Sequence, residues 1–317
     1  MELLINLKKI IMFKKISTFI TALLLTSNSA KAQSAEFINI LTGGTAGVYY
    51  PLGSALTKIY GDNIKGSKVQ VQVTKASVEN LNLLQEGKGE IAFVLGDSAK
   101  DAWAGNEDAG FKNKLDKLRI IGAIYPNYVQ IVASKGSNIK TLADLKGKRI
   151  SVGAAKSGTE LNARAVLTAA GMSYKDLGKV EYLTFAESVE LIKNRQLDAT
   201  LQSAGLGVAS LKDLANSVEI NVLAVPVDVV KKMGAPFIPG TIPAETYKGQ
   251  NTSVSTTAIV NYLVTRDVSD ATAYQMTKLF YENLPALVAA HSAAKDINVK
   301  DAASNPPLHL QIGRAHV

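Results

Sequence analysis

The chain has 317 residues, 47% hydrophobic and 20% charged, with three histidines and no cysteine. It is long enough for two separate cores, and it excludes disulfides, thiol chemistry and a lipid-modified N-terminal cysteine. The formal charge is +8, but residues 1–32 hold five Lys and one Glu, which leaves +4 for the rest and no basic, aromatic-laced patch for nucleic acid.

In chain order, Phe13-Lys14-Lys15, the apolar run 16–25 and Ser29-Ala30-Lys31-Ala32 read as a Sec-type signal peptide, cut after Ala32. A retained membrane anchor is the alternative, and Met12 competes with Met1 as the start. Residues 38–41 form a short apolar strand, followed by the small-residue loop Thr42-Gly43-Gly44-Thr45-Ala46-Gly47-Val48-Tyr49. Leu52, Ala55, Leu56 and Ile59 then keep the spacing of a buried helical face. A glycine-rich strand-to-helix loop leaves N–H groups free to face an anion, helped by the helix dipole. Neither G-x-G-x-x-G nor a P-loop is present, so a tight turn without ligand stays open. Residues 69–73 alternate as a strand, and Val78, Leu81 and Leu84 mark a helix for which Ser77 is the expected N-cap. Residues 91–95 read as a buried strand ending at Gly96-Asp97-Ser98. Two further strands, 118–124 and 129–133, are separated by Tyr125-Pro126-Asn127-Tyr128. This alternation predicts a mostly parallel α/β sheet with ligands at the strands' carboxyl ends.

A second unit follows. Residues 150–152 are a strand, and the loop 153–159 opens a helix over 160–170 that Gly171 stops. Ser157-Gly158-Thr159 is therefore a second helix start, the natural partner of the first loop across a cleft. Strands 180–185, 199–202 and 220–225 alternate with helices 186–193 and 206–214. The chain is expected to return near Asp228, with a strand over 255–265 and helices over 269–283 and 285–290. That divides it into lobe 1 (33–128 and 229–311) and lobe 2 (129–228), joined by the two crossings a hinge needs.

The opening signature from Thr42 to Gly53 resembles that of the TAXI family, the solute-binding receptors of one class of tripartite ATP-independent periplasmic (TRAP) transporters. The resemblance extends through Ser77-Val78-Glu79-Asn80, Asp97 with Ala102-Trp103, Tyr125-Pro126, Leu145-Lys146-Gly147-Lys148 and Val152-Gly153-Ala154. It continues through residues 157–165, Phe185-Ala186-Glu187-Ser188, Thr241-Ile242-Pro243 and Glu282-Asn283-Leu284. It implies an α/β, two-lobed periplasmic binding protein type II fold with a hinge and an interlobe ligand cleft. It also implies a monomer in the periplasm, without cofactor or metal, that passes a small acidic solute, glutamate-like or dicarboxylate, to a fused membrane permease. Carried over residue by residue, ligand contacts fall at Thr42, Gly43, Gly44, Thr45, Gly47, Val48 and Tyr49 in the first loop. The others are Ser77, Asn80, Gly96, Asp97 and Tyr125, then Ser157, Gly158 and Thr159, and Gln202. Many members have Gln-Ala-Asp where this chain has Leu95-Gly96-Asp97, a lost amide donor that bears on ligand identity.

Single residues keep two readings. Arg164 can grip a carboxylate or pair with Glu160. Tyr49 and Tyr125 can contact ligand or close the interlobe surface. Asp97 repels an anion, so it either caps the next helix or holds an ammonium group. An enzyme is disfavoured by the lack of any Cys, H-E-x-x-H or G-x-S-x-G, and of His near the candidate loops. The binding protein of an ATP-driven uptake system and a ligand-sensing subunit use the same fold and stay as alternatives.

At the other end, Ile312-Gly313-Arg314-Ala315-His316-Val317 reads like translated sequencing-adapter DNA, so residues 312–317 are expected to be a non-native tail. Resequencing the locus tests this, and a natural stop codon directly after Val317 refutes it.

Overall fold

The computed structural model describes residues 36–304 and 306–308. The expected signal peptide and the expected tail lie outside the described residues. The strands are β1 (Glu36–Leu41), β2 (Ser67–Gln72), β3 (Ile91–Leu95), β4 (Arg119–Ser134) and β5 (Arg149–Ser151). They continue with β6 (Lys179–Glu181), β7 (Ala199–Ala204), β8 (Ile220–Leu223), β9 (Ile238–Ile242) and β10 (Val254–Thr265). The helices are α1 (Tyr49–Asn63), α2 (Ser77–Gln85), α3 (Gly96–Ala104), α4 (Gly158–Ala169) and α5 (Phe185–Lys193). Then come α6 (Ala209–Ser217), α7 (Val227–Met233), α8 (Asp270–Glu282) and α9 (Leu284–Ala290).

The main strand order is β2-β1-β3-β10-β4-β7-β5-β6, with β8 on β4 and β9 on β10. The sheet is mixed. β1 with β3 and β5 with both β6 and β7 are parallel, as the strand–helix alternation predicts. The centre is antiparallel, because β4 and β10 run beside each other in opposite directions and belong to both halves. Each exchanges partners along its length. β10 pairs with β9 over Val254–Ala258 and with β3 over Asn261–Thr265. β4 takes up β7 only from Tyr128 onward and β8 from Ile131 onward. The partners change around Tyr125–Tyr128 in β4 and around Ala258–Asn261 in β10.

The mostly parallel sheet that the alternation predicts is thus overturned, because the two long shared strands pair antiparallel with all their neighbours. Two further expectations are corrected. The pair of short strands on either side of Pro126 is one strand of sixteen residues. Proline removes a ladder donor, but the ladder is already interrupted next to it, with a register shift between the Val260 and Tyr262 pairs. The return expected at Asp228 comes later. Val229 and Val230 of α7 pack in one apolar cluster with Val129, Ile150, Val166 and Leu201, so α7 stays with the second half and the chain crosses back along β10.

Sequence patterning explains the helices. Leu52, Leu56 and Ile59 form the buried face of α1, and Val78, Leu81 and Leu84 that of α2. β3 is buried along its whole length, matching its unbroken apolar run. Ser269 caps α8 by accepting from the Thr272 N–H. The N-cap of α2 is Ala76, not Ser77, whose Oγ instead accepts from the Leu95 N–H at 3.1 Å.

Candidate functional site

Four helices begin at one cavity. Gly43, Gly44, Gly47, Val48 and Tyr49 reach it from the β1–α1 loop, and Ala76 and Ser77 from the start of α2. Ser157, Gly158 and Thr159 reach it from the start of α4, and Thr184 and Phe185 from the start of α5. Tyr125 and Asn127 of β4 and Ser203 and Ala204 of β7 complete the polar and apolar wall. The space open to the centres of water molecules is about 70 Å³.

The first N–H groups of any helix lack intrahelical partners. In α4 and α5 side chains take some of them: Ser157 accepts from the Glu160 N–H, and Thr184 forms a capping box with Glu187. α1 and α2 have no side-chain cap, their N-cap residues being Val48 and Ala76. Two uncapped helix starts, each carrying about half a positive charge, thus face one small space, the arrangement that holds an anion. Ala76 sits at φ 72°, where a side chain is strained. Its N–H donates to Thr74 Oγ1 at 3.0 Å, and Asn80 braces the same turn.

Of the residues expected at the site, ten line the cavity: Gly43, Gly44, Gly47, Val48, Tyr49, Ser77, Tyr125, Ser157, Gly158 and Thr159. Six do not. Thr42 and Asn80 hold the wall from behind. Thr42 Oγ1 donates to the Gln72 carbonyl at 2.7 Å, and Asn80 Nδ2 donates to those of Thr42 and Phe93 at 2.7 and 2.9 Å. Thr45 is exposed on the loop. Gly96 lies against Tyr262 and the Val260 carbonyl. Gln202 accepts from Ser210 Oγ at 2.6 Å. Asp97 accepts from Asn162 Nδ2 at 2.5 Å, and Ser203 Oγ donates to Asn162 Oδ1 at 2.7 Å. Arg164 donates to Glu160 at 2.7 Å and to the Asp108 carbonyl at 2.7 Å, so the pairing reading of that residue holds.

Sequence reasoning missed Asn127, Thr184 and Phe185. A continuous β4 puts Tyr125 and Asn127 on one face, two residues apart, but Pro126 hid that continuity. The spacing of Thr184 and Glu187 is a capping-box signature that could have placed the start of α5 at the site.

Tyr49 bridges site and hinge. Its hydroxyl donates to Asn261 Oδ1 at 2.5 Å, and Asn261 Nδ2 donates to the Tyr125 carbonyl at 2.8 Å. Its ring stacks on Phe93 at 5.3 Å, and burial pushes its phenol well above the usual range. The halves also meet directly, the Glu79 N–H donating to the Lys156 carbonyl at 3.1 Å. Gly158 needs its missing side chain here. A Cβ would stand 2.6 Å from Leu95 Cδ1 and 2.8 and 2.9 Å from the Ser77 and Ser98 hydroxyls.

The sequence pattern of the NMT1-like family matches residues 40–316. This chain belongs to the NMT1-like family. The NMT1-like chain also resembles solved structures. PhnD1 of Prochlorococcus marinus, solved with methylphosphonate, is 12% identical with a TM-score of 0.59, over 86% of this chain and 94% of that one. A binding-protein component of an ABC phosphonate transporter from Pseudomonas aeruginosa is 12% identical with a TM-score of 0.55, over 87% and 84%. An ancestral arginine-binding protein bound to arginine is 16% identical with a TM-score of 0.50, over 83% and 99%. The fold is that of the type II periplasmic binding proteins.

Burial pushes the Asp97 carboxyl up to about 7, the Asp101 charge adding to it against the Ser98 N–H and the Asn162 amide. A carboxyl that ionises less readily folded than unfolded removes stability as pH rises from about 4 to about 7. Asp97→Asn, which keeps an acceptor for Asn162, is expected to flatten that decline and to be more stable at pH 8 by up to about 4 kcal/mol. Denaturant melts across pH check it; parallel pH profiles for the two proteins would count against the assignment. Gly158→Ala is expected to prise the start of α4 from α2, speeding amide exchange at Glu79 by at least about tenfold. Unchanged Glu79 protection in a folded variant would show that this contact does not close the wall.

Proposed function

We propose that this NMT1-like chain is an extracytoplasmic solute-binding receptor that captures a small anion in the cavity and hands it to a membrane permease. The observation that carries the reading is the convergence of the uncapped starts of α1 and α2 on one small cleft. The fold supports it, since two of the neighbours named above are described as binding proteins, one of them as part of an ABC transporter, and the third was solved with methylphosphonate. No helix among the described residues is long and apolar enough to cross a membrane, and no His/Cys/Asp/Glu group there could hold a metal ion. We assign the protein no reaction.

Size and chemistry shape the solute. A dry cavity of 150 Å³ takes up benzene, so about 70 Å³ favours a compact anion over the glutamate-like or dicarboxylate solute that the TAXI resemblance implies. The charge is met by helix starts and neutral donors, with Lys75 alone among the lining side chains carrying a positive charge. The neighbour solved with methylphosphonate accords with a compact anion. For the permease, the ABC component among the neighbours favours an ATP-driven partner over the TRAP permease.

Differential scanning with acetate, methylphosphonate, methanesulfonate, glutamate and succinate tests the reading. A Tm that rises with concentration for the compact anions, following RT ln(1 + [L]/Kd), is expected. A folded protein whose Tm ignores every anion overturns it.

A further inference from the structure

Two buried polar atoms at the cavity wall lack a partner. They are the hydroxyl of Tyr125 and Oδ1 of Asn127. The residues are 0% and 2% exposed, and they stand two apart on β4, so they share one face of the strand. The orientation of the Asn127 amide is fixed: its Nδ2 donates to the Ser203 carbonyl at 3.1 Å, and a flipped amide would set two acceptors against each other. Oδ1 is therefore an acceptor in want of a donor. Leaving it dry is costly, so an occupant that supplies a hydrogen there recovers that loss. The Tyr125 phenol is neutral, its ionisation pushed far up by burial, and it can donate to an anion's oxygen.

The site then makes two demands at once. The starts of α1 and α2 call for negative charge, and Asn127 calls for an O–H or N–H. An ammonium group would meet the second demand only with a counter-ion. Among the described residues that line the cavity there is no Asp or Glu. Asp97, the nearby acidic residue that could hold an ammonium group, is turned to Asn162 and does not line the space. A buried ammonium with only an amide oxygen beside it is costly, whereas a hydroxyl is not.

We infer that the solute is a compact monoanion that keeps one O–H, a short 2-hydroxy acid or a monoprotonated phosphonate. The inference rests on the receptor reading and narrows it. Asn127 takes the O–H, Tyr125 donates to an anionic oxygen, and the helix starts hold the charge. Leu183, Phe185 and Leu95 leave an apolar wall for a methyl-sized substituent.

Titration calorimetry on the full chain separates the possibilities. Glycolate is expected to bind at least about tenfold more tightly than acetate, its match in charge without the hydroxyl, and methylphosphonate at least about tenfold more tightly than methanesulfonate. Glycine is expected to bind more weakly than glycolate. The two sources part with pH: the second phosphoryl proton leaves near neutrality, so raising the pH weakens methylphosphonate relative to glycolate, whereas any change in closure as Asp97 ionises acts on both ligands alike. Asn127→Leu is expected to erase the glycolate advantage, and the ligand pairs on the unaltered protein decide the matter should that variant fail to fold. Equal affinity for glycolate and acetate, and for the two methyl anions, overturns this inference and leaves the receptor standing. Tightest binding by glycine also overturns it. Silence towards every anion overturns the receptor reading itself.

Discussion

Two long antiparallel strands that each serve both halves set the conditions for everything else. β4 and β10 are central in the sheet, and each changes partners midway. A strand's register is fixed wherever its faces are buried, so neither can slide, and movement between the halves is confined to the short stretch where partners change. That stretch carries Tyr125, Asn127 and Asn261. Asn261 lies at the bulge in β10, and its side-chain amide ties the Tyr125 carbonyl to the Tyr49 hydroxyl. The hinge and the wall of the cavity are thus the same residues, which is how an event in the cavity can be felt by the backbone that joins the halves.

The cavity depends in turn on what the helix starts leave undone. Serine and threonine caps at α4 and α5 satisfy their own helices. Valine and alanine at the caps of α1 and α2 offer no side-chain acceptor; in α2 the Glu79 N–H goes instead to the Lys156 carbonyl, and in α1 the third residue is Pro51, which has no N–H to satisfy. The strained turn at Ala76 belongs to the same design: Thr74 and Asn80 hold it in place so that α2 starts at the cavity wall. Thr42 and Asn80, expected as contacts, do the bracing that keeps the contacts rigid.

Much of this was legible in the sequence. The strand–loop–helix junctions at residues 42–49 and 157–159 were visible because glycine and small hydroxyl residues between an apolar strand and a periodic helix admit few other structures. What the sequence hid follows from two local signals that tertiary structure overrode. Pro126 reads as a break, yet the bulge beside it had already spared the ladder that donor. The short helix α7 has too few turns to show which core its valines join, and only the cluster around Ile150 and Leu201 reveals it. Asn127 was lost with the first error, since its place beside Tyr125 needs an unbroken strand. Gly96 sits directly after β3 as expected and Gln202 lies inside β7, which runs two residues further than expected, but a place on or beside these strands does not aim a residue at the cavity.

Contacts across the cavity that involve no solute decide how much work the solute must do. The Glu79–Lys156 and Arg164–Asp108 bonds favour the closed arrangement. The Asp97–Asn162 contact pulls the other way at neutral pH, because it needs a carboxyl to leave water and its second oxygen finds no partner. Apparent affinity equals intrinsic affinity scaled by the fraction of molecules already closed. A receptor that closed strongly on its own would shut out its solute, and one that never closed would bind poorly. On the proposed reading, a costly acid placed among these favourable bonds keeps the balance near the point where a small anion at the helix starts would tip it.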